Sequence, residues 1–189
     1  MTRADLMDAL TSELRGVLRG YVLPSRLRGV DGVEPSMQTV MQEVKVYAQY
    51  LPQPSGITFA EKSTGLKNYT SDDYESSFPC VVVKLRDMTD TEEQDRKHSS
   101  VKVSILAGVY DENPECQGYV DLLNLQEVIR KHLMEHRVLG HKFLLRMPLV
   151  SKLDETDTWP VYFGVMEMEY ELGRPVRSSG YVYRYGQGV

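Results

Sequence analysis

Apolar residues recur along this chain at two different spacings, and the switches between them mark out its elements. Over residues 5–18, Leu6, Leu10, Leu14 and Val17 or Leu18 fall three or four apart, on one face of a helix. Thr2 with Asp5 three positions on has capping-box spacing, and Gly20 supplies a stop. Residues 23–35 are rich in Pro, Gly and Arg and predict a loop. Residues 36–50 carry two overlapping patterns. Met37, Val40, Met41 and Val44 have helical spacing, whereas Val44, Val46, Ala48 and Tyr50 alternate. Val and Tyr suit a pleated surface and Pro52 ends the run, which favours a strand over residues 44–50.

Residues 78–86 predict a strand with Val81, Val83 and Leu85 on one face and Cys80 and Val82 on the other. Residues 101–109 predict its partner, with Val101, Val103, Ile105, Ala107 and Val109 sharing a face. Between them, residues 87–99 hold so much charge that a solvated hairpin loop is expected. The longest helical pattern follows, with Leu122, Leu125, Ile129 and Leu133 as its apolar stripe. Asp121 or Asn124 is the expected cap, the latter with Glu127 at capping-box spacing. Glu127 and Lys131 make a favourable pair, and Gly140 is the expected stop. Two further strands, 143–150 and 161–172, are joined by a polar hairpin loop over 151–160. In the last strand Met166, Met168, Tyr170 and Leu172 alternate with Glu167, Glu169 and Glu171, the mark of a sheet with one face on a core.

This order predicts an α+β fold: an antiparallel sheet of about four to five strands, two helices on one of its faces, and long hairpin loops. Residues 1–172 form the single domain, including a polar segment over 52–77 whose length fits either binding to a neighbour or a floppy surface excursion. Residues 173–189 hold three arginines, three tyrosines and no acids, and read as an arm that docks on another subunit, with a disordered tail as the alternative.

Composition narrows the function more than the fold. The chain has 189 residues, 41% apolar and 26% charged, ordinary for a globular domain. A net charge of −5 argues against coating a nucleic acid duplex, which takes a clustered basic face. No window approaches the roughly 18 apolar residues of a membrane span. The amphipathic, acid-containing start reads as neither signal nor transit peptide. Two cysteines, Cys80 and Cys116, support no disulfide framework and predict free thiols, with synthesis in a cytoplasm.

One segment has enzyme-like spacing. His132-Leu-Met-Glu135-His136 matches the inverted zinc-peptidase pattern, in which two helical histidines bind zinc and the glutamate activates water. Against it, no third ligand follows on a helix, and the helical wheel places His136 in the leucine stripe with His132 at its flank. Packing is the stronger reading; a zinc-dependent hydrolase is the alternative. The acids Asp111, Glu112 and Glu115, with Pro114 among them, read as a turn before a hard-cation site. No phosphate-binding Gly loop, nucleophile elbow or CxxC pair is present, and no cofactor is expected.

Over residues 44–172 the chain resembles the tail terminator (tail-completion) proteins of long-tailed bacteriophages. The Phe78-Pro79 strand, the Val109-Tyr110-Asp111 strand end, the Gly118-Tyr119-x-Asp121-Leu122 helix entry and the Trp159-Pro160-x-Tyr162-Phe163-Gly164 strand start carry it. The resemblance implies a virion subunit without an active site. It would form a homo-oligomeric ring, expected to be a hexamer, that caps the tail tube and stops its polymerisation. Its partners would be its own copies, the major tail tube protein and the head–tail connector or stopper. Another neck or tail-tube protein is the alternative within that class. No sequence-specific nucleic acid binding and no membrane are expected; acidic loops around a lumen would let DNA pass without adhering. The parts that protrude then become the candidate interface: Asp90, Glu92, Glu93, Asp95 and Arg96; Asp154, Glu155, Asp157 and Trp159; and Arg177, Tyr181, Tyr183 and Tyr185 in the arm.

Overall fold

The computed structural model describes residues 2–28, 37–52, 77–93, 96–155 and 158–172. Helix α1 (Arg3–Val17) begins with the expected capping box: Asp5 N–H donates to the Thr2 hydroxyl at 3.1 Å, and Thr2 N–H to the Asp5 carboxylate at 2.7 Å. The Thr2 contacts hold the Asp5 carboxyl below its ordinary range.

The chain then makes a separate two-stranded antiparallel ribbon of β1 (Val22–Arg28) and β2 (Met37–Glu43). This corrects the loop expected over residues 23–35 for its described part, residues 23–28, and it replaces the helical spacing weighed for Met37, Val40 and Met41; the strand favoured over residues 44–50 is present at Lys45–Ala48. The reason is that a ribbon needs little alternation when anchored from elsewhere. Leu23 and Ser25 are buried, and the Ser25 hydroxyl donates to the Tyr110 carbonyl at 3.3 Å.

The main sheet has six strands: β3 (Lys45–Ala48), β4 (Cys80–Glu93), β5 (Arg96–Tyr110), β6 (Val138–Leu139), β7 (Phe143–Leu153) and β8 (Val161–Leu172). Their spatial order is β3-β4-β5-β8-β7-β6. All neighbours are antiparallel except β3 with β4, which are parallel. The fold is therefore α+β as expected, with more strands and one parallel pair at an edge.

Both helices lie on one face of this sheet. Leu6, Leu10 and Leu14 of α1, and Leu122, Leu125, Ile129 and Leu133 of α2 (Gly118–Glu135), share a single core with Val81, Val83, Val101, Val103, Ile105, Met166, Met168 and Tyr170. The alternations read from sequence in β4, β5 and β8 place these residues inward. Each fully buried aliphatic side chain of this kind contributes about 1.5–3 kcal/mol of transfer free energy. On the other face a smaller apolar cluster gathers Phe78, Cys80, Val82 and Tyr110, with Leu106 and Phe163 against it.

Helix α2 corrects the expected cap and the expected stop. It starts at Gly118 with Gln117 as N-cap and no side-chain capping bond, so neither Asp121 nor Asn124 caps it. Asp121 is drawn away to an arginine described below. Glu127 makes its direct ion pair with Arg130 at 2.6 Å, the guanidinium offering two donors to one carboxylate, while Lys131 favours the Glu127 charge without that contact. The helix ends at Glu135, before β6, and Gly140 instead sits in the β6–β7 turn with φ of 55°.

Candidate functional site

The four short motifs on which the resemblance rests converge on one corner of the sheet. Asp111, just past β5, is fully buried and accepts hydrogen bonds from Arg26 Nη1 at 2.8 Å and from Asn113 N–H at 3.0 Å. The same Nη1 reaches Asp121 of α2 at 3.0 Å. Burial works against the Arg26 charge, but the bonds from Asp121 and Asp111 outweigh it and raise the guanidinium above its ordinary pKa. Asp111 N–H also donates to the Pro160 carbonyl at 2.9 Å, and Glu112 N–H to the Arg26 carbonyl at 2.8 Å. Gly118 is needed at the start of α2, since a Cβ there would stand 2.5 Å from the Tyr162 ring and 2.9 Å from the Asp111 Cβ. Phe78 completes the corner with rings of Tyr110 and Phe163 at centroid distances of 6.4 and 5.9 Å. The motif residues thus fasten the ribbon, α2 and the start of β8 to the end of β5. They form a joint. The joint also disposes of the cation reading, because Asp111 is spent on Arg26 while Glu112 accepts from the Tyr110 hydroxyl at 2.7 Å.

The hairpins protrude from opposite ends of the sheet. β5 and β8 run side by side from Ser99↔Leu172 at one end to Tyr110↔Val161 at the other. Beyond Ser99, β4 and β5 continue as a ribbon through Thr91↔His98, Glu92↔Lys97 and Glu93↔Arg96. Three further pairs carry its tip roughly 10 Å past the end of β8. Residues 88–93 and 96–99, expected as loop, are therefore paired strand. Asp90 is exposed here and accepts from the Ser99 hydroxyl. At the opposite end β7 and β8 meet at Leu153↔Gly164, and Asp154 N–H donates to the Phe163 carbonyl at 3.0 Å. β7 likewise extends further into the expected loop, to Leu153. Asp154, Glu155 and Trp159 are exposed at this tip.

The structure therefore divides the candidate interface residues. Asp90, Glu92, Glu93 and Arg96 belong to the β4–β5 hairpin, and Asp154, Glu155 and Trp159 to the β7–β8 hairpin. Asp95, Asp157, Arg177, Tyr181, Tyr183 and Tyr185 lie outside the described residues, as do residues 53–76 of the expected long excursion.

The sheet face away from the helices is polar beyond the apolar cluster. Lys152 meets Glu167 at 2.8 Å, Arg146 meets Glu171 at 2.6 Å, and Arg86 donates to the Ser104 hydroxyl at 3.0 Å. The bond from Lys152 holds the Glu167 carboxyl below its ordinary range.

The histidine motif is engaged between helices. His132 Nε2 lies 2.7 Å from the Glu13 carboxylate of α1, and the His132 and His136 rings stand 4.5 Å apart. His136, expected within the leucine stripe, is exposed, because the chain leaves helical geometry there at φ −117° and ψ 62°. Glu135 is exposed as well. Among the described residues no three His, Cys, Asp or Glu side chains are arranged to hold a metal ion, and no helix is long and apolar enough to cross a membrane.

A scan against protein-family models finds no match to this chain, and a search of curated sequences finds no relative.

Proposed function

We propose that this protein is a structural subunit of a bacteriophage tail, a tail terminator that forms a ring with its own copies on the end of the tail tube. The ring ends tube polymerisation and offers the joint to the head connector. The observation that carries this reading is the opposed placement of the β4–β5 and β7–β8 hairpins on one sheet. A capping ring works through two unlike faces, one for the tube and one for the connector. A rigid sheet that sends a charged hairpin out of each end gives each subunit one contact element per face. Support also comes from the motif residues, which meet in a single fastening corner and not in a catalytic cleft.

Electron microscopy of the protein mixed with purified tail tubes tests the proposal. Rings seated on tube ends are the expected result. Monodisperse particles that leave the tube ends bare would overturn it.

A further inference from the structure

Between the first turn of α2 and the tip of the β7–β8 hairpin lies a groove of about 260 Å³. Tyr119, Leu122, Leu153 and Phe163 form its apolar part, and Asp154 and Glu155 stand on its rim. Tyr119 is 47% exposed and Leu153 40%, large apolar surfaces for side chains so close to the fastening corner. A groove of this make-up fits a segment that offers aromatic rings and positive charge together.

One stretch of this chain has that chemistry. Residues 173–189 carry Tyr181, Tyr183 and Tyr185 at alternate positions, Arg174, Arg177 and Arg184, and no acid. We propose that the groove receives this C-terminal segment from a second copy of the chain, tyrosines against Tyr119, Leu153 and Phe163 and arginines against Asp154 and Glu155. The segment leaves β8 after Leu172, which pairs with Ser99, whereas the groove lies beside Phe163, which pairs with Gly108. Nine residues of strand separate the two, about 30 Å. The nine residues 173–181 would need their whole extended length merely to come level with Phe163 in the same chain. A neighbouring copy seated with its groove near Leu172 would receive the same residues without that extension. Donor end and acceptor end differ, so the contact is heterologous, the type that generates rings when it closes.

The inference rests on the self-assembling reading above and names the contact that would link copies. A photo-crosslinking amino acid in place of Tyr183, in the full chain, tests it with a mixture of isotopically heavy and light protein. Crosslinks to residues 119, 153–155 or 163 in mixed heavy–light pairs are expected. Asp154→Lys combined with Glu155→Lys should cut their yield at least about fivefold, and raising salt on the unaltered chain should cut it too. Crosslinks confined to single chains, crosslinks to another surface, or a yield indifferent to both charge and salt would overturn the inference. Microscopy of the crosslinker-bearing chain with its native Asp154 and Glu155, mixed with tail tubes, separates the two proposals. Capped tubes without groove crosslinks would reject the docking alone, and groove crosslinks between copies that leave tube ends bare would reject the terminator alone.

Discussion

Arg26 donates to Asp111 across 2.8 Å although 85 residues separate them in the chain, and the carboxylate it reaches is fully buried. Its guanidinium is also shared with Asp121, so one side chain ties the β1–β2 ribbon to both the sheet and α2. Removing it leaves a buried charge without its cation, which costs more than the pair contributes. Arg26→Ala should destabilise the protein by about 2–4 kcal/mol, with Asp121→Asn, at a partly exposed partner, costing nearer 1 kcal/mol. Urea unfolding followed by circular dichroism measures both. Equal and small losses would mean the ribbon is held by other contacts.

Gly118 gives a steric prediction. A methyl group there runs into the Tyr162 ring and the Asp111 Cβ, so Gly118→Ala should lower stability by about 1–3 kcal/mol despite alanine's better helix propensity. The double variant Gly118→Ala with Tyr162→Leu should recover part of that loss. Thermal unfolding of the single and double variants reports the coupling; simple additivity would place the clash elsewhere.

The two cysteines should behave as opposites. Cys116 is exposed and Cys80 is buried, its thiol pushed up to about 12 by desolvation. At about pH 8 a thiol reagent should therefore titrate Cys116 in the folded protein and reach Cys80 only after unfolding. The linkage has a definite sign. An unfolded chain ionises Cys80 from its ordinary value of 9.0, whereas the folded chain keeps the proton to about 12. Through that window the unfolded state binds fewer protons, so stability falls as pH rises. Thermal melts across the window should show a shallower decline in Cys80→Ser than in the unaltered chain.

His132 should matter modestly. His132 is 20% and Glu13 40% exposed, so water partly screens the pair between α1 and α2. His132→Ala is expected to cost no more than about 1 kcal/mol. Elemental analysis of the purified protein provides the opposing outcome. Stoichiometric zinc that disappears in the His132→Ala variant would restore the hydrolase reading.

The periodic parts of this fold are legible in the sequence because burial imposed their periods. The α1 leucines, the α2 stripe and the alternations of β5 and β8 all fall inward. What was missed has a common physical origin: elements held by something other than their own apolar pattern. β1 contains Pro24, Ser25 and Arg26 and is fixed through ion pairs and a buried hydroxyl, neither of which has a period. The β4–β5 ladder runs on into charged sequence through backbone pairing, which does not depend on an apolar period. The early start of α2 follows from the room Gly118 gives Tyr162, a contact 44 residues distant that no capping rule encodes. Among the candidate site residues, the two tips could be found by charge alone. Their placement at opposite ends could not, since it depends on the β5–β8 register. The groove beside Tyr119 had a faint signal in a tyrosine at the outer side of a helix entry followed by acids in a distant turn, too diffuse to join without the fold.

The β5–β8 ladder also decides how the protein would bear load. Traction between the two hairpin tips pulls β4 and β5 one way and β7 and β8 the other, along the strands. Its twelve residue pairs, from Ser99↔Leu172 to Tyr110↔Val161, then resist in shear and must yield together, not unzip one at a time. Pulling from Glu93 and Glu155 should therefore meet a higher rupture force than pulling β8 sideways from one end. A tether strung between two faces gains most from that geometry.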